Sequence, residues 1–364
     1  MIINTGQRTD IPAFYTPWFL NRLKEGFVMV RNPFHHSQVT CYALHPEVVD
    51  LICFCTKNPG PLLPYGDILS PFQQLWHVTI TPYGKDIEPQ VPDKRKVIDS
   101  FRTLSDRLGP SHLCWRYDPV LLWGNYDINY HIRAFSSLAE ALEGYTYTCI
   151  FSFIDLYGKT LRNFPMARRV SHENQLFLVE KFVDIAGKRG MKLVSCLENP
   201  SFAALGVDTT GCLTKEKVED LLGAALKIPS YENRHVRKGC ACLLGHDIGA
   251  YSSCAHFCRY CYANENRAAV MENRKQHNPF SPFLLGEAER GDEIKNARQE
   301  SWIDRETSLF LQKSKIFLTE EGVIAIIYYA ESRDSRKKNK KLLTEKSKCG
   351  IIMKLLHSIT KKIV

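Results

Sequence analysis

The alternation of strand-like and helix-like segments up to residue 196 constrains the fold of this chain most. Apolar runs typical of strands occupy residues 1–4, 27–31, 49–55, 76–81, 111–117, 148–154 and 192–196. Helix-like stretches lie between them, at 14–26, 95–108, 128–142 and 173–190. Strands separated by helices form parallel sheets, because a parallel neighbour needs a long crossover connection. We therefore predict an α/β fold, and six or seven such units favour a (β/α) barrel, complete or partial and TIM-like.

Polar side chains follow most of the predicted strands directly. They are Arg8, Asp10, Lys57, Asn58, Arg116, Asp118, Asp155 and Glu198. Active sites of barrels and open parallel sheets lie at the carboxyl ends of the strands. Asp and Asn are also common in turns, and a proline often ends a strand, so each residue has a structural alternative. As a set, these side chains predict a site at one edge of the sheet.

The chemistry of these side chains suggests a role for each of them. We assign catalysis to Lys57, Arg116, Asp118 and Glu198, and cofactor binding to Arg8, Asp10, Asn58 and Asp155. The cations suit a carboxylate or a phosphate, whereas the carboxylates suit ribose hydroxyls or an amine. The sequence has no Walker A loop, no G-x-G-x-x-G after a strand and no G-x-S-x-G elbow. Nucleotide hydrolysis, classical hydride transfer and serine hydrolysis therefore lack support.

Three of the 13 cysteines form a tight motif, with three residues between Cys254 and Cys258 and two between Cys258 and Cys261. Three such thiolates can bind three irons of a [4Fe–4S] cluster and leave the fourth iron open. This spacing, with Tyr260 before the third cysteine, resembles the motif of radical S-adenosylmethionine enzymes. Two alternatives remain: zinc, completed by His256 or a distant cysteine, and a closed cluster with a remote fourth cysteine.

A second group of cysteines precedes this motif. Cys240 and Cys242 are one residue apart, and Cys196 and Cys212 come before them. Together they form a candidate second site for zinc or an auxiliary iron–sulfur cluster, the alternative being ordinary packing of thiols. Five further cysteines fall within or beside apolar strands and are interpreted as buried thiols. These are Cys41, Cys53, Cys55, Cys114 and Cys149.

Several segments up to about residue 310 resemble a bacterial family known only as a domain of unknown function. They are residues 8–15, 56–59, 81–84, 115–119 and 247–249, together with the three-cysteine motif. Cys55 stands where that family tends to have Trp, and Gly6-Gln7 where it tends to have two basic residues. We expect these departures to alter packing and not chemistry.

The chain also resembles radical S-adenosylmethionine enzymes of the spore photoproduct lyase type. That resemblance implies a [4Fe–4S] cluster and S-adenosylmethionine as cofactors, with a 5′-deoxyadenosyl radical that abstracts hydrogen from a small substrate. It also implies an electron donor of the ferredoxin or flavodoxin type. In those enzymes the cysteines follow the first strand, whereas here they follow the last, so we expect a permuted barrel with the cluster over the same edge. The alternative function is a zinc or iron–sulfur protein without radical chemistry, associated with nucleic acid.

The net charge of +9 is concentrated in one part of the chain. Residues 311–364 contain 13 Lys and Arg against 5 Asp and Glu, a charge of +8, which leaves +1 for residues 1–310. A nucleic-acid partner is therefore not expected for residues 1–310. No apolar run is long enough for a membrane span, and the first residues show no secretory pattern, so we expect a cytoplasmic protein.

The change in composition along the chain suggests three segments. Residues 1–205 are expected to form the (β/α) body, and residues 206–310 a Cys-rich, cluster-binding segment that completes the barrel. Residues 311–364 are expected to be a basic, poorly ordered extension. They contain an apolar run at 322–329, a basic run at 335–341 and an apolar/basic pattern at 351–363.

Overall fold

The computed structural model describes residues 1–195, 197–230, 240–243 and 245–305, and the backbone of residues 314–318 and 324–328. The chain divides into a larger unit, residues 1–222 and 226–302, and a smaller one, residues 223–225 and 303–364. The strands are β1 Ile2–Asn4, β2 Phe27–Arg31, β3 Gln38–Ala43, β4 Leu51–Thr56, β5 Gln74–Thr79, β6 Leu113–Val120, β7 Thr148–Phe153, β8 Lys192–Ser195, β9 His246–Asp247, β10 Glu293–Asn296, β11 Ser314–Leu318 and β12 Ile324–Tyr328. The helices are α1 Ile11–Phe14, α2 Thr16–Glu25, α3 Gly66–Leu69, α4 Lys94–Leu108, α5 Ile128–Ala141, α6 Gly158–Asn163, α7 His172–Lys188, α8 Lys215–Leu222 and α9 Arg267–Lys275.

Seven strands form the central sheet of the larger unit, in the order β8-β7-β6-β5-β4-β1-β9. Every neighbouring pair is parallel, which confirms the predicted α/β class. The last strand, β9, pairs with β1 and not with β8, so the sheet is open. The complete barrel is therefore not formed by the described residues. At one edge of the sheet, β9 has only two residues. At the other edge, the only described pairing beyond β8 is an isolated bridge between Val194 and Asp208.

The strands of the central sheet are largely buried because helices and loops cover both faces of a parallel sheet. All six residues of β5 are buried, and five of the six in β4. Phe54 of β4 stacks on Trp76 of β5, with ring centroids 4.0 Å apart. The register of β4 and β5 is therefore fixed by packing as well as by hydrogen bonds.

Helices on the outside of the sheet begin at side-chain caps. Asp93, Asp127 and Ser171 accept hydrogen bonds from backbone N–H groups in the first turns of α4, α5 and α7. Between α5 and α7, Phe135 stacks on Phe182 with ring centroids 4.2 Å apart. The helices predicted at 95–108, 128–142 and 173–190 are confirmed to within two residues at each end, because caps and apolar spacing are local signals.

The strand predicted at 27–31 forms, but it does not join the central sheet. As β2 it pairs antiparallel with β3, and β10 pairs parallel with β3 on the other side. The expectation that this segment belongs to a βαβ unit is therefore wrong. Only six residues separate β2 from β3, and a connection that short permits an antiparallel hairpin but no parallel crossover.

The smaller unit contains a hairpin in which β11 pairs antiparallel with β12. β12 lies within the apolar run at 322–329. The basic run at 335–341 and the pattern at 351–363 lie outside the described residues. Among the helices that the structure describes, none is long and apolar enough to cross a membrane.

Candidate functional site

Asp10 joins three segments at the carboxyl edge of the central sheet. Its carboxylate caps α1 by accepting a hydrogen bond from the backbone N–H of Ala13 at 3.1 Å. It also accepts hydrogen bonds from the Thr56 hydroxyl at 2.6 Å and the Lys57 backbone N–H at 2.7 Å. The Nε2 atom of His256 lies 2.9 Å from the same carboxylate. Asp10, predicted as a cofactor-binding residue, thus ties β1, β4 and the cysteine loop together through four protein contacts.

The side chain of Lys57 lies in a buried charge network centred on Glu88, whose side chain is 0% exposed. Glu88 accepts hydrogen bonds from Lys57 at 2.8 Å, Lys94 at 2.5 Å and the Thr81 hydroxyl at 2.6 Å, and also from the Tyr260 hydroxyl. Burial would raise the pKa of Glu88, but the two ammonium groups outweigh it and lower the pKa to about 2. Glu88 is therefore charged at neutral pH, and it holds Lys57 and the cysteine loop.

Arg116 and Asp118 form an ion pair within β6. Arg116 also donates to the Cys55 sulfur at 2.7 Å, and Ser152 at the end of β7 donates to Asp118. The buried Nε atom of Arg116 has no hydrogen-bond partner within the described part of the chain. A buried guanidinium with a donor to spare can bind an acceptor on a ligand.

The other predicted edge residues make separate contacts. Arg8 lies 3.7 Å from Asp247 of β9. The Asn58 side chain accepts a hydrogen bond from the Gly60 backbone, which is an ordinary turn contact. The remaining two lie near the carboxyl ends of β7 and β8: Asp155 accepts from the Tyr157 hydroxyl, and Glu198 accepts from the Phe153 backbone N–H at 2.9 Å.

The loop that carries Cys254, Cys258 and Cys261 is held against the segment that follows β5. The Arg259 backbone N–H donates to the Ile87 carbonyl at 3.0 Å, and the Gln90 backbone N–H donates to the His256 carbonyl at 3.1 Å. Together with the Tyr260–Glu88 and His256–Asp10 contacts, these bonds fix the loop at the carboxyl edge of the sheet.

Of the three thiols of this loop, Cys258 is buried, whereas Cys254 and Cys261 are partly exposed. Left-handed backbone at Ser252 and Phe257 turns the chain before and between the cysteines. Charge interactions link Cys258 with Cys261 and Lys57, and Cys254 with both other thiols. Burial raises the pKa of all three thiols. In the described ranges, no group of three or more His, Cys, Asp or Glu side chains is arranged to hold a metal ion.

The second group of predicted cysteines is brought together only in part. The sulfur atoms of Cys212 and Cys242 lie 3.6 Å apart. Cys240 is partly exposed, and Cys196 lies outside the described residues.

Sequence reasoning missed Glu88, Lys94 and Cys55 as parts of this edge. Glu88 and Lys94 follow the turn at residues 81–84, a segment that the sequence analysis includes in the family resemblance. No periodic sequence pattern marks a buried carboxylate in a loop. The sequence interpretation includes Cys55 only as a buried thiol and as a departure from the family pattern. A signal was available for Glu88, since a Glu after a strand-ending Thr-Pro turn has the same placement as the acidic residues that were chosen.

Comparisons with known proteins identify a sequence family. No curated protein matches the chain. One family's sequence model matches residues 2–263, which spans β1 to β9 and all three cysteines of the loop. The match covers more than half of the chain. The chain therefore belongs to the family described as domain of unknown function DUF1848.

Proposed function

We propose that this chain is an iron–sulfur enzyme of the radical S-adenosylmethionine type. In this proposal Cys254, Cys258 and Cys261 bind a [4Fe–4S] cluster, and a small substrate binds at the carboxyl edge of the central sheet. The observation that carries the proposal is the attachment of the cysteine loop to that edge. His256 and Tyr260, both within the loop, contact Asp10 and Glu88, which in turn bind Lys57.

The residue types on the loop suit a cluster with one open iron, although the described structure does not bring three of them together as a metal site. The three thiols lie within charge-interaction range of one another. His256, the residue that would complete a zinc site, has its Nε2 atom 2.9 Å from Asp10 and its Nδ1 atom 3.5 Å from the Gln90 carbonyl. Because its ring nitrogens already have partners, the set that remains is three thiolates, which leaves a coordination position for a cofactor.

The surrounding residues have roles that suit such a group. When bound, the cluster and S-adenosylmethionine supply one-electron chemistry that generates a carbon radical. Lys57 places a cation beside Cys258, where it balances the negative charge of a thiolate-bound cluster. The unpartnered Arg116 Nε and the buried, unpartnered Asn264 Oδ1 offer a donor and an acceptor to polar groups of cofactor or substrate. Arg116 and Asp118 orient each other through their ion pair.

The open sheet suits a partial barrel. Strands β4 to β8 follow one another in order, and β9 returns to β1, as the last strand of a barrel does. In this proposal the cysteine loop, which follows β9, covers the carboxyl edge of the sheet beside β1. A small substrate fits such a covered edge, and a reduced ferredoxin or flavodoxin would supply the electron.

Anaerobic reconstitution of the full chain with ferrous iron and sulfide tests the proposal. We expect about four irons per chain, a visible charge-transfer absorbance, and an electron paramagnetic resonance spectrum that changes when S-adenosylmethionine is added. Cys258→Ser should lose the cluster. Cys41→Ser is the matched control, because Cys41 is a partly exposed thiol on β3, and it should keep the full iron content.

Two results would overturn the proposal. A colourless protein that binds stoichiometric zinc would assign the loop to a zinc site without radical chemistry. A reconstituted cluster whose spectrum does not respond to S-adenosylmethionine would leave an iron–sulfur protein without the proposed cofactor.

A further inference from the structure

Cys212 and Cys242 bring two distant segments into contact. Cys212 lies between β8 and α8, and Cys242 lies just before β9, thirty positions later. Their sulfur atoms are 3.6 Å apart, which is van der Waals contact between unbonded sulfurs. The residues that follow each cysteine are joined by a backbone hydrogen bond, from the Leu243 N–H to the Leu213 carbonyl at 2.7 Å. The backbone therefore holds the two thiols together.

The packing around Cys212 and Cys242 restricts movement of the two side chains away from each other. Gly211 lies directly against Cys242: a Cβ at Gly211 would lie 3.0 Å from the Cys242 sulfur, and its φ of +125° favours glycine. Lys217 donates to the Gly211 carbonyl and anchors this loop to α8. A disulfide needs sulfurs about 2.05 Å apart, so the two sulfurs, now 3.6 Å apart, must approach by about 1.5 Å for the bond to form.

The two thiols differ in access. Cys242 is 0% exposed, whereas Cys212 is partly exposed. Cys212 is thus the thiol that a small oxidant can reach, and Cys242 is placed to react second.

We propose that Cys212 and Cys242 form a reversible disulfide under peroxide. The Cys212 thiol loses its proton as its sulfur attacks one peroxide oxygen, and the leaving hydroxide takes up that proton as water, which leaves a sulfenic acid. The Cys242 thiol then attacks that sulfur, forms the S–S bond and releases a second water. Two thiols and one hydrogen peroxide give one disulfide and two waters, and a cellular dithiol reverses the step. The bond joins the segment after β8 to the segment before β9, across the open side of the sheet.

Peptide mapping tests this modification site. The full-length protein is treated anaerobically with a small excess of hydrogen peroxide, alkylated and digested without reduction. We expect a linked peptide pair containing Cys212 and Cys242, absent from Cys212→Ser and Cys242→Ser and present in Cys41→Ser. The link should also form in Cys258→Ser, which keeps the result independent of any cluster on the other loop.

Three outcomes would overturn the inference. One is full alkylation of both cysteines after peroxide treatment. Another is a link from Cys212 to Cys240 or Cys55 in place of Cys242. The last is zinc or iron that wild type retains and Cys212→Ser loses, with no disulfide formed, which would assign the pair to a metal site.

Discussion

Replacing Glu88 with glutamine removes the charge of a fully buried carboxylate while preserving its shape. In the wild type this carboxylate faces the ammonium groups of Lys57 and Lys94 at 2.8 and 2.5 Å. Glutamine can still accept a hydrogen bond from Thr81, but it cannot neutralise either cation. The variant therefore leaves two positive charges close together at a buried place.

The size of the effect follows from the pKa of Glu88. Lys57 and Lys94 lower it from 4.5 to about 2 despite the opposing effect of burial. One pKa unit corresponds to about 1.4 kcal/mol, so the folded protein favours the charged form by about 3 kcal/mol. Removal of one partner from a buried ion pair costs about 3–5 kcal/mol in other proteins. We expect Glu88→Gln to lower the free energy of unfolding by about 3 kcal/mol.

Urea unfolding followed by tryptophan fluorescence at neutral pH measures this difference. Glu180→Gln is the matched control, because Glu180 is exposed and pairs with the exposed, adjacent Lys181 at 3.5 Å. We expect a change below about 0.5 kcal/mol. The folded-state pKa of Glu88 is below its unfolded value. The stabilisation is therefore complete above pH 4.5 and is lost as the pH falls toward 2, so the gap between wild type and variant should narrow below pH 4.5. Equal stabilities at neutral pH would refute the argument.

Three further substitutions test the fold and the edge of the sheet. Burial lowers the pKa of His131 from 6.5 to about 4, so the stability that neutral His131 contributes is complete above pH 6.5 and is lost toward pH 4. Between pH 6.5 and pH 4, the free energy of unfolding of His131→Gln, measured with urea, should fall by about 3 kcal/mol less than that of the wild type. Equal decreases in the two proteins would contradict this. Asp10→Asn should cost about 2 kcal/mol and reduce the iron retained after reconstitution, whereas full retention would separate Asp10 from the loop. Gly245→Ala places a Cβ 2.4 Å from the Ile2 carbonyl oxygen, so it should lower the melting temperature more than Gly190→Ala, which has open space and left-handed backbone alone. Equal melting temperatures for Gly245→Ala and Gly190→Ala would contradict the prediction and show that the backbone moves to relieve the contact with Ile2.

The charge network at the edge of the sheet shows where sequence reasoning reached its limit. Lys57 and Asp10 were selected because they follow strands, and the structure places them in contact. Glu88 and Lys94, which determine the position of Lys57, come from a loop and a helix start 31 and 37 residues further along the chain. A buried cation must find an anion, but sequence spacing does not say which one.

The sequence by itself determined the features that depend on near neighbours. Strand and helix segments, their caps and the three-cysteine motif follow from periods and spacings of a few residues, and they establish a parallel α/β fold with a thiol-rich loop. Only the tertiary structure decided which distant segments meet. The return of β9 to β1, the separation of β2 from the central sheet and the contact between Cys212 and Cys242 were among these decisions. Such contacts depend on packing and desolvation across the whole fold, and no local pattern encodes them.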